Sequence, residues 1–377
     1  MSPTLRTISR EQHLAYIRSL PSASHMQVPA WGDLKSEWRS ESLGWFDGDD
    51  KLIGVGLVLY RQLPKVKRYL AYLPEGPVIN WFAPNLEEWL RPMLAHLKQQ
   101  GAFSVKMGPP VVIRRWNAKA IKAGIQDPEV KRLRDVEATQ LEPRAFEVAD
   151  RLRRMGWQQG EDGGAGFGDV QPRYVFQIPL RDRSLEEVHK DFNQLWRRNI
   201  KKAEKAGVVV ERGGYEDLEE WQRLYEITAE RDRFRPRPLS YFQLMWRALN
   251  AETASPVEEN RMRLYIARHE GEAVAAATML VVGGHVWYSY GASANHKREV
   301  RPSNAMQWQM LRDAHAMGAH VYDMRGIGDI LDESDHLFGL IQFKVGTGGE
   351  AAEYLGEWDF PLNKLLHKAL DIYMSRR

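Results

Sequence analysis

The sequence predicts an α/β protein in which one order of elements is used twice. The first pass combines a strand–turn–strand signal over Trp45–Leu59, around the acidic turn Asp47-Gly48-Asp49-Asp50, with a third apolar segment near Tyr69–Ile79. A helix-like stretch, Asn85–Gln100, then leads to a strand-like run, Phe103–Met107. The second pass echoes it. Leu264–Ala267, a Glu270-Gly271-Glu272 turn and Val274–Val282 make a hairpin, and His285–Tyr290 is the next strand. A helix over Ser303–Met317, closed by Gly318 as a C-terminal cap, precedes the strand Val321–Met324. Size agrees with a doubled unit: 377 residues, 43% apolar, suit two domains of ordinary size.

Bulk properties exclude several classes. With no cysteine, disulfides, thiolate zinc sites and a cysteine nucleophile are ruled out. His285, His296, His315 and His320 form no metal-like spacing with an acid pair, and no G-x-S-x-G supports serine catalysis. Met1–Arg10 holds no apolar signal core, and the longest apolar runs, Leu52–Tyr60 and Ala273–Val282, fall short of the roughly 20 residues of a membrane span. The expectation is a cytoplasmic protein that touches a membrane surface at most. Net charge, 53 basic against 50 acidic residues, dictates no partner. Its distribution says more: Arg197, Arg198, Lys201, Lys202 and Lys205 cluster in one stretch, and Arg231, Arg233, Arg235 and Arg237 in another. Such clusters suit a polyanion such as RNA or a pyrophosphate, or a solvated face paired with acids.

Leu185–Ala206 reads as one long amphipathic helix ended by Gly207. Leu185, Val188, Phe192, Leu195, Trp196, Asn199, Ile200 and Ala203 form its core stripe, and the first basic cluster lies opposite. The glycine-rich segment Asp162–Gly168 reads as a linker and places the domain boundary; no Lys-Ser/Thr follows it, so it is no phosphate loop. The expected domains are 1–165 with 345–377, and 166–344. Leu362, Leu365, Leu366, Ala369 and Tyr373 mark a last helix, expected to pack on the first domain rather than lie on an anionic membrane.

Strand, strand, strand, helix, strand is the order of a GNAT-type acyltransferase domain, here in tandem. Acetyl-CoA needs a glycine-rich turn at the start of the long helix, where backbone N–H groups hold the pyrophosphate. Arg298–Asn304 has no glycine, and Pro302 removes a donor; Phe82-Ala83-Pro84-Asn85 in the first half is no better. The donor is therefore expected to be something else.

Four late segments carry a family resemblance: Trp287–Ser293, Tyr322–Gly326, Gly339–Lys344 and Gly348-Gly349-Glu350. Two further blocks, Trp196–Ala203 with Gly207-Val208, and Tyr354–Pro361, extend it over most of the chain. Together they resemble the Fem family (FemABX) of aminoacyl-tRNA-dependent transferases, in the compact form without a helical arm. The resemblance implies two GNAT-like domains, with the C-terminal segment returning to the first. It implies that a stem-peptide side-chain amine of a peptidoglycan precursor (UDP-MurNAc-pentapeptide or lipid II) attacks the ester of a charged tRNA, so that glycine, alanine or serine is transferred. No cofactor, no metal and no DNA are implied, and peripheral contact with the inner membrane surface is left open. Two other classes stay open: an aminoacyl-tRNA-dependent amide ligase of antibiotic biosynthesis, and a non-catalytic RNA- or precursor-binding protein.

By position, Lys344 matches the lysine the family places at the tRNA acceptor end, where an ammonium would stabilise the oxyanion or the departing ribose oxygen. Without that match it would read as a surface lysine at a strand end. Phe343 would support the terminal adenosine, and the cluster Arg197, Arg198, Lys201, Lys202, Lys205 would meet the tRNA. Trp31 and Lys35, in Trp31-Gly32-Asp33-Leu34-Lys35, resemble the family's early precursor-binding motif. Arg237 and Tyr241 match a precursor-holding pair, on one face if the segment is helical. Tyr288 or Tyr290 matches a tyrosine near the acceptor; strand alternation sends both to the same face, leaving the choice open. One departure stands out. Gly108, in Lys106-Met107-Gly108-Pro109-Pro110, occupies a place where the family often has aspartate; Asp323 and Asp329 are the nearest substitutes the sequence offers.

Overall fold

The computed structural model describes residues 2–160, 170–252 and 260–374. The expected linker Asp162–Gly168 lies outside the described residues. The chain forms two compact units: Met1–Arg115 with Ala138–Tyr174 and Ala352–Arg377, and Trp116–Glu137 with Val175–Ala351. Trp116–Glu137, expected in the first domain, groups with the second. Its backbone is tied there, since Leu133 N donates to Asp329 O at 2.7 Å and Leu331 N to Lys131 O at 2.9 Å.

The first unit holds a seven-stranded sheet in the order Thr4–Thr7, Arg39–Phe46, Leu52–Leu63, Val66–Leu73, Ala102–Met107, Trp358–Pro361, Gln158–Gln159. Its strand pairs are antiparallel except Val66–Leu73 with Ala102–Met107, which run parallel across the helix Leu86–Gln99. A parallel neighbour requires such a crossover. That helix buries Leu86, Trp89, Leu90, Met93, Leu94 and Leu97 at helical spacing against the sheet. Trp45 Nε1 donates to Trp89 O at 2.8 Å, which satisfies a buried indole inside the core. The returning strand Trp358–Pro361 lies between Ala102–Met107 and the edge strand Gln158–Gln159, and Lys106 Nζ pairs with Asp359 at 2.7 Å. The last helix, Lys364–Met374, follows directly; His367 Nδ1 lies 2.9 Å from Ser104 Oγ, so the helix packs on the first unit as expected.

The second unit repeats the plan. The nine-stranded sheet begins Val209–Gly213, Met262–His269, Glu272–Val282, His285–Ser293, Val321–Gly326, Tyr174–Pro179 and continues with Glu350–Tyr354, Val112–Asn117 and Gln140–Leu141. The parallel pair is His285–Ser293 with Val321–Gly326, joined by the helix Pro302–Ala316. Gly318, at φ +72°, closes that helix as expected, where a side chain would be strained.

One expected element is broken in two. Leu185–Ala206 is not a single helix but Leu185–Asp191 and Gln194–Lys205. Asn193 caps the second, its side chain accepting from Trp196 N at 2.8 Å, and asparagine gains more as an N-cap than inside a helix. The break takes Leu195 out of the stripe; it is 58% exposed, while Val188, Phe192, Trp196, Ile200 and Ala203 are buried.

Candidate functional site

The helix Phe338–Val345 follows the strand Val321–Gly326 and carries the Phe343-Lys344 step. Lys344 is not a surface residue. It is 3% exposed, and its Nζ donates to Met324 O at 2.7 Å, Gly326 O at 2.7 Å and Arg325 O at 3.3 Å. Three carbonyls match the three hydrogens of an ammonium; a neutral amine would set its lone pair against one of them. Burial works the other way and lowers the amine to about pKa 7; Asp323 opposes that fall and Arg325 adds to it.

The three carbonyls converge because the strand kinks. Pairing with Tyr174–Pro179 breaks between Asp323 and Gly326, and Arg325 takes a left-handed φ of +62°. Asp323, 2% exposed, accepts from Arg325 N at 2.6 Å, from Gln177 Nε2 at 2.9 Å, and lies 3.1 Å from His285 Nε2. Burial raises its carboxyl, but His285, Arg325 and Gln177 together hold it below the ordinary range.

Trp196 fixes the other side of the step. Its Nε1 donates to Phe343 O at 2.7 Å, and its ring lies 4.6 Å from the Phe343 ring. A Cβ on Gly346 would meet Trp196 Cδ1 at 2.4 Å, so only glycine allows this approach.

Beside this helix is a cavity of about 490 Å3, whose walls include Trp196, Tyr288, Asn304, Gln307, Gln342 and Phe343, with Arg298 and Arg301 also lining it. The start of Pro302–Ala316 opens on it. The entry turn has no glycine, as the sequence shows, yet Arg301 itself adopts φ +61° and Pro302 is the first helical residue. The left-handed turn is kept, while a side chain and a missing N–H stand where a pyrophosphate would need bare backbone. Asn304 is 5% exposed, lines the cavity, and its Nδ2 has no acceptor among the described residues. A ligand acceptor would remove the cost of that buried donor. Asn304 and Gln307 were missed by sequence reasoning, since polar residues on a helix read as its solvent face.

Tyr288 and Tyr290 do not share surroundings. The register between Glu272–Val282 and His285–Ser293 shifts between Ala277 and Met279, so Ser289 and Tyr290 together oppose Thr278. Tyr288 lines the cavity, and burial pushes its phenol up to about 12. Tyr290 instead packs on Phe242 at 4.9 Å and Tyr225 at 6.2 Å. Its company includes Arg237, which stacks over Tyr241 at 4.6 Å. Arg237 is not on a helix with Tyr241; it precedes Pro238, the N-cap of Leu239–Ala251. Cation–π stacking, not helical spacing, joins the two.

In the first unit, Trp31 is buried in the short helix Ala30–Leu34 with His25 edge-on at 5.2 Å, and Lys35 Nζ lies 5.5 Å over its ring. Trp31 is thus a buried ring with the Lys35 ammonium held over it. Asp323 and Asp329 belong to the second unit, where Asp329 pairs with Arg132 at 3.1 Å; within the first unit the acids beside Gly108 are Glu75 and Glu357. A Cβ at Gly108 would come 3.4 Å from Glu75 N and 3.6 Å from Glu357 Cγ. Glu357 is buried and accepts from Tyr72 Oη at 2.5 Å and Val170 N at 2.9 Å. Aspartate at 108 would add a carboxylate beside that of Glu357, and the like charges would oppose ionisation of both.

Of the expected basic face, Arg198, Lys201, Lys202 and Lys205 are exposed and pair with no acid among the described residues; Arg197 is half-buried and donates to Lys190 O at 3.3 Å. No group of His, Cys, Asp or Glu among the described residues could hold a metal ion, and no described helix is long and apolar enough to cross a membrane.

Two mixed sheets, each with one parallel pair around a crossover helix, define a tandem GNAT-like acyltransferase fold. A protein described as FemX has this fold: TM-score 0.79, 22% identity, covering 97% of this chain and 99% of that one. A tandem GNAT protein from the clavulanic acid biosynthesis pathway is more distant, at TM-score 0.51 and 10% identity over 96% of this chain and 99% of that one. The model of the FemAB family matches residues 8–255 and 250–374, and the chain belongs to that family. Among curated relatives, a lipid II:glycine glycyltransferase of Staphylococcus epidermidis is 25% identical, covering 97% of this chain and 94% of the relative.

Proposed function

We propose that this protein is an aminoacyltransferase that moves an amino acid, glycine by its relatives, from aminoacyl-tRNA to a stem-peptide amine of a peptidoglycan precursor. The observation that carries the reading is the cavity beside the Phe343-Lys344 step. Its walls offer an aromatic ring, an unsatisfied amide donor on Asn304, two arginines and a helix N-terminus, a set suited to a nucleotide end with its phosphates. The exposed basic face of Gln194–Lys205 extends the charge along the polyanion.

In this reading the acyl ester lies near Lys344. The ester is already activated, so the protein's work is positioning and oxyanion stabilisation. The Lys344 ammonium releases one carbonyl and donates to the oxyanion or to the leaving ribose oxygen. Arg237, stacked on Tyr241 near Tyr290 in the second unit, holds an anionic group of the precursor, and Lys35 over Trp31 in the first unit is a separate anion contact. Relatives named for lipid II favour the lipid-linked precursor, with the protein peripheral at the membrane.

The test is incubation with glycyl-, alanyl- and seryl-tRNA against lipid II and UDP-MurNAc-pentapeptide, with mass readout of the product. Glycyl transfer to lipid II that ribonuclease abolishes is expected. Transfer that survives ribonuclease and responds to acyl-CoA would sink the reading.

A further inference from the structure

Lys344 sits in a cradle that its own helix does not build. The three acceptors are consecutive carbonyls, Met324, Arg325 and Gly326, at 2.7, 3.3 and 2.7 Å. In a regular strand consecutive carbonyls point to opposite edges, so they cannot share one cation. They converge because Arg325 is left-handed at φ +62°, a conformation that costs a non-glycine residue of order 1 kcal/mol or more. Something must hold it. The Asp323 side chain accepts from Arg325 N at 2.6 Å and closes the turn, and its other oxygen is anchored by Gln177 Nε2 at 2.9 Å and His285 Nε2 at 3.1 Å. The His285 ring is itself fixed, stacked on Trp287 with centroids 3.9 Å apart.

We propose that Asp323 is the positioning residue for Lys344: its carboxylate, anchored by Gln177 and His285, locks the left-handed turn at Arg325 that aims three backbone carbonyls at the lysine ammonium. The inference rests on the reading of Lys344 as the group acting at the ester. Asp323 touches no substrate. It acts through backbone geometry and through its charge. The charged groups facing Lys344 are Asp323, which favours the ammonium, and Arg325, which opposes it. The helix Phe338–Val345 has no other ionisable residue. Ala118–Gln126, packed beside it, turns Lys119 and Lys122 to solvent, and Gln194–Lys205 presents Trp196.

The geometric and electrostatic roles separate by mutation, measured as glycyl transfer from glycyl-tRNA to lipid II. Asp323→Ala removes the lock and is expected to lower kcat roughly tenfold to a hundredfold, the scale for a misplaced group, with both KM values within about twofold. Adding Arg325→Gly, which adopts the left-handed turn unaided, should restore much of that loss. Asp323→Asn keeps an oxygen for Arg325 N–H but loses the charge, so the alkaline fall of kcat should move to lower pH. A wild-type kcat and pH profile in both Asp323 variants overturns the proposal. So does a loss that Arg325→Gly leaves untouched. Should Asp323→Ala fail to fold, as judged by its melting curve, the Asp323→Asn profile decides alone. Lys344→Met is run alongside. If it keeps wild-type turnover, the reading of Lys344 itself falls; if it loses turnover while both Asp323 variants are unaffected, only the positioning role falls.

Discussion

Lys344 poses opposed demands at the scale of one residue. Burial lowers its pKa to about 7, while three carbonyls and Asp323 favour the charged form. An unpaired buried ammonium would cost several kcal/mol, so the cradle is what keeps a charge there near neutrality. If the ammonium is the acting form, kcat at saturating substrates should fall as pH rises through about 7, following one ionisation. Lys344→Met should be down roughly a hundredfold, with no such step. A rate that rises through that pH would show a neutral amine acting as base instead. The same shift has a stability signature of definite sign. The folded pKa of about 7 lies below the ordinary 10.5, so the unfolded chain binds more protons in between, and stability should rise across that window. Chemical denaturation of wild type against Lys344→Met, compared at several pH values, should show that rise in wild type alone.

At the scale of an element, the helix Gln194–Lys205 has two jobs. On its inner face Trp196, beside the buried Ile200 and Ala203, holds the Phe343-Lys344 step; its outer face carries Arg198, Lys201, Lys202 and Lys205. Replacing Lys201 and Lys202 together by glutamate should weaken tRNA binding and flatten its dependence on salt, since fewer counterions are then released. Filter binding over a salt series measures this, and lipid II binding should not change. An unchanged tRNA affinity would move the contact elsewhere, with Arg231, Arg233 and Arg235 next to test. The basic face was legible in the sequence because charge spacing survives folding unchanged. The break at Asn193 was not. The apolar period continues across it, and a cap is visible only once the Asn193 side chain is seen on Trp196 N.

At the scale of the whole chain, the first unit is completed by a strand from far along the sequence. Trp358–Pro361 lies between Ala102–Met107 and Gln158–Gln159, and its Trp358 is fully buried. Deleting 358–377 would remove that strand from the first sheet and expose unpaired edges. The truncated chain should lose the first unit's cooperative melting and the hydrogen-exchange protection of Ala102–Met107 while the second unit keeps its own. Retained protection in Ala102–Met107 would mean the strand is dispensable.

The sequence by itself determined the doubled α/β plan and, through the motifs that resemble the family's, the family and the return of the C-terminal segment to the first domain. These follow from hydrophobic period, turn residues and motif order, which are local and additive along the chain. It also pointed to Lys344, Phe343, Arg237 and Tyr241, through motif position. Tertiary structure alone decided what surrounds them. A one-residue bulge opposite Thr278 parts Tyr288 from Tyr290, two long-range partners on Asp323 turn a strand end into a cation cradle, and Glu357, far along the chain, lies beside Gly108. The physical reason is common to all three. A bulge, a buried polar network and a close approach each depend on residues distant in sequence, whose contribution appears only when water is excluded and the partners meet.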